Sequence, residues 1–393
     1  MFTSLCRRII FVLAASVAAP FFLLSIKAQI SFGEIPIGVG GIAADGTIAG
    51  GTDNQAYRLT RGSVPVALPP LPGKIKSTAS AISNNGAVIV GTVMNETNTV
   101  TEAVRWTSNT VIGLGNPDGM NTYSVGLSGD GSVVAGTIFG PPTVPGEAFR
   151  WTQTSGLVGL GHLPGRTSSN ANGISNDGST IVGSSFGGSS FPLNSFEAFR
   201  WTANAGMVGL GHFSGGITSF ANAVSADGSV ITGSADMGGL NQAFRWTPSG
   251  GMVGLGNFGS AESQGLAISG DGSIIVGITD LADGVGGFIV GGFMWTSSTG
   301  IRDFSGVLSD LGIKIFATEL IPYAISPDGR YVAGSGWFAG QGRAQWLLDR
   351  GPQGFSPVPE PSTYGLASAV LIALAVVRRR NRQGLRSRPC GEG

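Results

Sequence analysis

A unit of about fifty residues recurs along this chain, and it limits the possible folds more than any other feature. From Trp106 the equivalent tryptophans follow at Trp151, Trp201, Trp246, Trp295 and Trp346, at spacings of 45, 50, 45, 49 and 51 residues. A turn pair recurs with them seven times, at Asp45-Gly46, Asn85-Gly86, Asp130-Gly131, Asp177-Gly178, Asp227-Gly228, Asp271-Gly272 and Asp328-Gly329. So does a strand element, as Ala56-Tyr57-Arg58-Leu59, Ala103-Val104-Arg105-Trp106, Ala148-Phe149-Arg150-Trp151, Ala198-Phe199-Arg200-Trp201, Ala243-Phe244-Arg245-Trp246, Gly292-Phe293-Met294-Trp295 and Ala344-Gln345-Trp346. In the copy spanning 221–256, two apolar runs flank Asp227-Gly228, which predicts a tight two-residue hairpin with both turn residues at positive φ. Runs at 242–247 and 252–255 flank Pro248-Ser249-Gly250-Gly251 and form a second hairpin. A four-stranded meander of this period is one propeller blade and is too long for a solenoid coil. The expectation is an all-β chain, a β-propeller of seven four-stranded blades; eight blades or two smaller rings are the structural alternatives.

The two ends of the repeat array test closure. The last copy runs from Trp346 into Gly351-Pro352 without a Gly-Leu-Gly strand, while residues 30–37 precede the first turn pair without a partner. The N-terminal strand is therefore expected to complete the last blade, which covers edges that an open sheet would expose.

With 66 Gly and only 12% charged residues the chain could be taken for low-complexity sequence, but its apolar residues are periodic and its turns are placed. The 23 basic and 23 acidic residues cancel, leaving no electrostatic footprint for nucleic acid or an anionic membrane. Cys6 and Cys390 lie in the end segments, so the repeats contain no thiol. A core of this size does not need disulfides.

The end segments read as export signals. Arg7-Arg8, an apolar run over 9–26 and a small-residue site at Ala28-Gln29 match a secretory signal peptide over 1–28, a retained membrane anchor being the alternative. The propeller then occupies 29–350, a Pro-rich linker 351–362, and a short apolar segment with a basic tail 363–393. The apolar run at 364–377 is about 21 Å long as a helix against a hydrocarbon core of roughly 30 Å. Arg378-Arg379-Arg380 behind it favours a cytoplasmic tail with the propeller outside. Val358, Pro359, Glu360 and Pro361, followed by that run and that cluster, resemble the PEP-CTERM sorting signal of Gram-negative bacteria that export exopolysaccharide. The resemblance implies recognition by an exosortase-type membrane protease or transpeptidase acting near Pro359-Glu360-Pro361, a processing site and not a catalytic one.

The repeats over 40–346 resemble the extracellular repeats of the HAF family, with Ala-Phe-Arg-Trp, Gly-Leu-Gly and Ser-x-Asp-Gly motifs. The name-giving His is replaced by Gln55, Glu102, Glu147, Glu197 or Gln242. That resemblance implies an extracellular location and carries no activity.

No catalytic, cofactor or metal site is expected. His162 and His212 each follow Gly-Leu-Gly and read as turn residues, since a metal would need further ligands and equivalent points lie a blade apart. Six Asp of the turn pairs and Glu102, Glu147 and Glu197 are repeat positions, and no pair among the other acids forms a recognisable glycosidase arrangement. Arg58, Arg105, Arg150, Arg200 and Arg245 alternate with aromatic positions, so each is expected to bond the hairpin Asp of its own blade; a ring binding an anionic polysaccharide is the competing reading. Gly-Met-Val-Gly-Leu-Gly opens no helix, which excludes a phosphate loop.

The variable loops at 162–172, 184–195, 212–222 and 279–291 should share one face, with Phe139, Phe186, Phe191, Phe213, Phe220 and Phe258 in or beside them. Variable loops on a rigid scaffold are where binding concentrates. These aromatics either stack on sugars or pack beneath the loops. The expectation is a secreted or surface, non-enzymatic protein of the biofilm matrix that binds extracellular polysaccharide or a surface protein, touching the membrane only through its terminal segments. A polysaccharide hydrolase or lyase on the same scaffold is the alternative.

Overall fold

Alternating apolar runs separated by placed turns give short antiparallel strands, each with one buried face. The computed structural model describes residues 30–351 apart from 109, 141–143, 189–194, 259–261 and 283–287. The described residues form seven antiparallel sheets of four strands each. The first six are consecutive meanders, as in blade 3, whose strands are Asn121–Leu127, Val133–Phe139, Glu147–Thr152 and Gly156–Gly159. The seventh holds Ala317–Ile325, Tyr331–Phe338 and Gly342–Asp349, and its outermost strand is Ser31–Ile35 from the other end of the chain. The closing strand pairs Ser31 with Asp349 and Ile35 with Gln345, so the ring closes as the two ends of the array require.

Each blade buries its apolar face against the next, and the cores are seven clusters between neighbouring blades. Val88, Val90 and Ala103 of blade 2 meet Leu127, Val134, Phe149 and Trp151 of blade 3. Ile42, Ile48 and Leu59 of blade 1 meet Ala324, Tyr331 and Ala333 of blade 7. Every blade has a bulge at an equivalent place between its first and second strands, as at Asn172 in blade 4 and Asn222 in blade 5, and blade 7 has a second irregularity between Thr318 and Ile321. Bulges add local twist, which suits strands packed round an axis. Beside each bulge the second strand carries a glycine, Gly233 in blade 5, at which an added Cβ would overlap the carbonyl oxygen of Phe220 on the first strand.

Two expectations are corrected. The Asp-Gly hairpin is not a two-residue turn with both residues at positive φ: Gly228 has φ 73° while Asp227 stays out of the left-handed region. Gly228 N–H donates to Ser225 O at 3.0 Å, a type I turn closed by a left-handed glycine. The Asp227 carboxylate accepts from Ser225 Oγ at 2.7 Å and Ser229 N–H at 2.9 Å, and this local alternative stabilises the wider turn. Secondly, the arginines do not bond the Asp of their own blade. Arg58 donates to Ala87 O at 3.2 Å, Arg105 to Gly131 O at 3.0 Å and Arg200 to Gly228 O at 3.3 Å, each a hairpin carbonyl of the next blade.

A helix not anticipated from the repeat, Phe304–Asp310, follows blade 6. Asp303 caps it by accepting Gly306 N–H at 3.0 Å, and Phe304, Val307 and Leu308 fill the core between blades 6 and 7. No helix among the described residues is long and apolar enough to cross a membrane. The segments at 9–26 and 364–377 lie outside the described residues.

Candidate functional site

Most of the conspicuous polar residues are consumed by the architecture. The Ala that opens each Ala-Phe-Arg-Trp element donates its N–H to a hydroxyl of the next blade: Ala148 to Ser169 at 2.9 Å and Ala198 to Ser219 at 2.9 Å. Those hydroxyls donate onward to the second glycine of Gly-Leu-Gly, Ser169 to Gly161 O at 2.6 Å and Ser219 to Gly211 O at 2.7 Å. Glu147 accepts Gly161 N–H at 2.7 Å and lies over Gly159, where an added Cβ would overlap its carboxylate. His212 Nε2 sits 3.0 Å from Phe196 O, and His162 Nδ1 is 3.4 Å from Leu163 O. Among the described residues no three metal-ligating side chains gather.

The hairpin face is equally committed. Hydrogen bonds from Ser225 and Ser229 hold the Asp227 carboxyl down to about 2. Ser128 and Ser132 pull Asp130 below the usual carboxylate range in the same way. At the axis, Ile42, Ile82, Leu127, Ile174, Val224, Ile268 and Ile325, one from each blade, line a hollow of about 190 Å³. Around it runs a belt of backbone bonds between blades, from Ala44 N to Asn84 O, Asn84 N to Gly129 O, Gly129 N to Asn176 O, Asp177 N to Ala226 O, Ala226 N to Gly270 O and Gly270 N to Pro327 O. Pro327 has no N–H to continue it, so the seam between blades 7 and 1 is held by other means. There Asp349, 3% exposed, takes Arg330 at 2.8 Å and Arg61 of blade 1 at 2.6 Å. Burial works to raise the Asp349 carboxyl, but the bonds from Arg330 and Gly351 N–H and the nearby Arg charges outweigh it and hold it low. Ser31 pairs with Asp349 next to this seam, so both ends of the described chain leave from the hairpin face.

The opposite face carries the variable connections. Phe186, Phe196 and Phe220 form a ladder across blades 4 and 5, with centroids 5.0 and 4.9 Å apart. Tyr123 and Phe139 meet edge to face at 5.4 Å on blade 3. Phe213 and Phe258 instead pack against the cores beneath the loops, and Phe191 lies outside the described residues. Arg166, 4% exposed, ties the loop after blade 3 to Ser195 Oγ at 2.7 Å. Two features escaped the sequence reading. Phe316 and Trp337, 88% and 54% exposed, border a hollow of about 400 Å³ at the start of blade 7. Another hollow, of about 360 Å³, opens beside Gly38, Gly51 and the turn at Asp53-Asn54. The missing bulk at Gly38 and Gly51 was the available signal, hidden because the blade 1 repeat is the least regular.

Residues 357–380 match the PEP-CTERM protein-sorting motif. The chain carries a PEP-CTERM sorting signal. It marks the propeller for export and membrane-associated sorting in a Gram-negative bacterium, and implies processing by an exosortase-type membrane enzyme. Val358, Pro359, Glu360 and Pro361 fall inside the match and outside the described residues. No curated protein matches the chain. Among solved structures it is similar to puromycin hydrolase, with a TM-score of 0.54 and 13% identity over 83% of this chain and 55% of that one. Oligogalacturonate lyase from Vibrio parahaemolyticus gives 0.51 and 12%, over 82% and 91%. The β-propeller domain of the Trilobed protease from Pyrococcus furiosus gives 0.51 and 12%, over 77% and 90%. The chain spans little more than half the length of that hydrolase. At such identities the likeness is of fold alone. The Pyrococcus domain is described as having an open velcro topology, whereas Ser31–Ile35 closes the ring here.

Proposed function

We propose that this PEP-CTERM protein is a non-enzymatic component of the cell surface or exopolysaccharide matrix, built of HAF-type repeats, that binds glycan or a surface protein through its variable-loop face. The observation that carries this reading is the division of labour between the faces. The hairpin side spends its Asp, Ser and Arg residues on turns and blade contacts, while the loop side carries the Phe186–Phe196–Phe220 ladder. These half-buried rings suit sugar rings, which present apolar C–H surfaces. Both ends of the described chain leave on the hairpin side, so a tail held at the membrane through residues 364–377 directs the loop face outward. Cleavage near Pro359-Glu360-Pro361 then releases or transfers the propeller with that face free.

The test is a polysaccharide pull-down with the full chain in mild detergent, run beside an assay for new reducing or unsaturated ends on the same polymers. Binding without new ends is expected. New ends would replace this reading with that of a hydrolase or lyase.

A further inference from the structure

At one position in every blade, toward the variable-loop end of the first and second strands, a cross-strand pair lies close to the bulge. In blades 2 to 7 it is Thr78 with Thr92, Tyr123 with Thr137, Asn170 with Ser184, Phe220 with Ser234, Gln264 with Ile278 and Ile321 with Ser335. In blade 1 it is Gly38 with Gly51. Six blades fill this place with two side chains, whereas in blade 1 two glycines stand there and line a hollow of about 360 Å³. That volume lies within the roughly 300–1,000 Å³ of small-molecule sites.

Three blades surround it. Blade 1 supplies the turn at Asp53 and Asn54, blade 2 Thr78 and blade 7 Tyr323. Asp53 and Asn54 both sit in the left-handed region, at φ 50° and 62°, where two successive non-glycine residues are uncommon. Glycine would relieve that conformation, so the side chains are kept at a cost. Both are exposed, and neither makes a side-chain hydrogen bond among the described residues. The Tyr323 hydroxyl is bonded to Gln345 Oε1, which fixes its ring in the wall.

We propose that this hollow is a subsite for one neutral glycosyl unit. Its bare backbone floor admits a flat ring. The Asp53 carboxylate accepts two hydroxyls, the Asn54 amide and the Thr78 hydroxyl each donate and accept, and the Tyr323 ring offers an apolar wall. The carboxylate disfavours a uronate or sulfated sugar, because a like charge within a few ångströms is repelled. The proposal rests on the loop face being a glycan-binding surface and specifies where and what it binds.

The experiment uses the full chain in mild detergent and titrates neutral gluco-, manno- and galacto-oligosaccharides beside oligogalacturonate. Two variants accompany it. Asp53→Gly with Asn54→Gly removes both side chains at a backbone where glycine is unstrained, and Gly38→Thr restores the residue found in blade 2. A neutral oligosaccharide should bind the native chain, and each variant should weaken it at least tenfold while the melting temperature of the Gly-Gly variant is kept. Unchanged binding in the Gly-Gly variant, or tighter binding of oligogalacturonate than of any neutral sugar, overturns the subsite and leaves the loop-face reading standing. If none of these sugars binds, the subsite is overturned and the loop face is left to a protein partner.

Discussion

Replacing Asp349 by Asn tests how the ring is held shut. The side chain is almost fully buried and receives Arg330 through two bonds, of 2.8 and 3.2 Å, and Arg61 at 2.6 Å. A hydrogen bond to a charged group contributes about 1.5–3 kcal/mol. The Arg61 pair contributes about 0.5 kcal/mol because its guanidinium is half exposed. Asparagine keeps one acceptor, so the net loss is about 2 kcal/mol, or on the order of 4 °C in melting temperature for a chain of this size. Circular dichroism melts of the native chain and Asp349→Asn measure it. The pH dependence is specific. The folded carboxyl titrates below its unfolded value of about 3.9, so its stabilisation is complete above that pH and disappears as pH falls through the folded value. The gap between the two proteins should be constant from about pH 7 to 5 and close below about pH 4. A variant melting within about 1 °C of the native chain at pH 7, or a gap that persists at low pH, would refute the clasp.

Three further perturbations address the repeat itself. Gly233→Ala places a Cβ on the Phe220 carbonyl and should lower stability by more than about 3 kcal/mol in urea unfolding, whereas Gly33→Ala, with nothing within 4 Å, should be neutral or slightly stabilising. Ser219→Ala leaves the buried Ala198 N–H without its 2.9 Å acceptor and should cost about 1–3 kcal/mol by the same assay. Asp227→Asn should reduce melting temperature at neutral pH and match the native chain as pH falls from about 4 towards the Asp227 value of about 2, where the native carboxyl gains its proton.

The sequence exposes the ring because the repeat is written in residues whose roles are local. Gly228 marks a turn whatever surrounds it, and Trp106 and Trp151 mark a buried strand face at fixed spacing. The closing strand was legible by elimination, since residues 30–37 had no partner and the last blade lacked one. Contacts between blades were not. Arg105 reads as bonding within its own blade, yet it bonds the Gly131 carbonyl, and nothing local says that the hairpin of the neighbouring blade comes within its reach. The hydroxyls of Ser169 and Ser219 were passed over for the same reason, because their acceptor role depends on how two blades meet. The helix at Phe304–Asp310 had visible signals, Asp303 ahead of it and Gly312 behind it, but the repeat offers no counterpart against which they stand out. The candidate site was half legible: the loop face followed from strand order, whereas the hollow is lined by Gly38 and Gly51, whose departure from the other blades shows only when seven blades are compared in register.

Hydrogen–deuterium exchange of the full chain, with and without the polysaccharide that the pull-down retains, tests the assignment of faces most directly. Protection is predicted at the Asp53-Asn54 turn and around Phe186, Phe196 and Phe220, with no change at the hairpins of Asp130, Asp177 and Asp227. Protection centred on those hairpins, with the loops unaffected, would contradict the account.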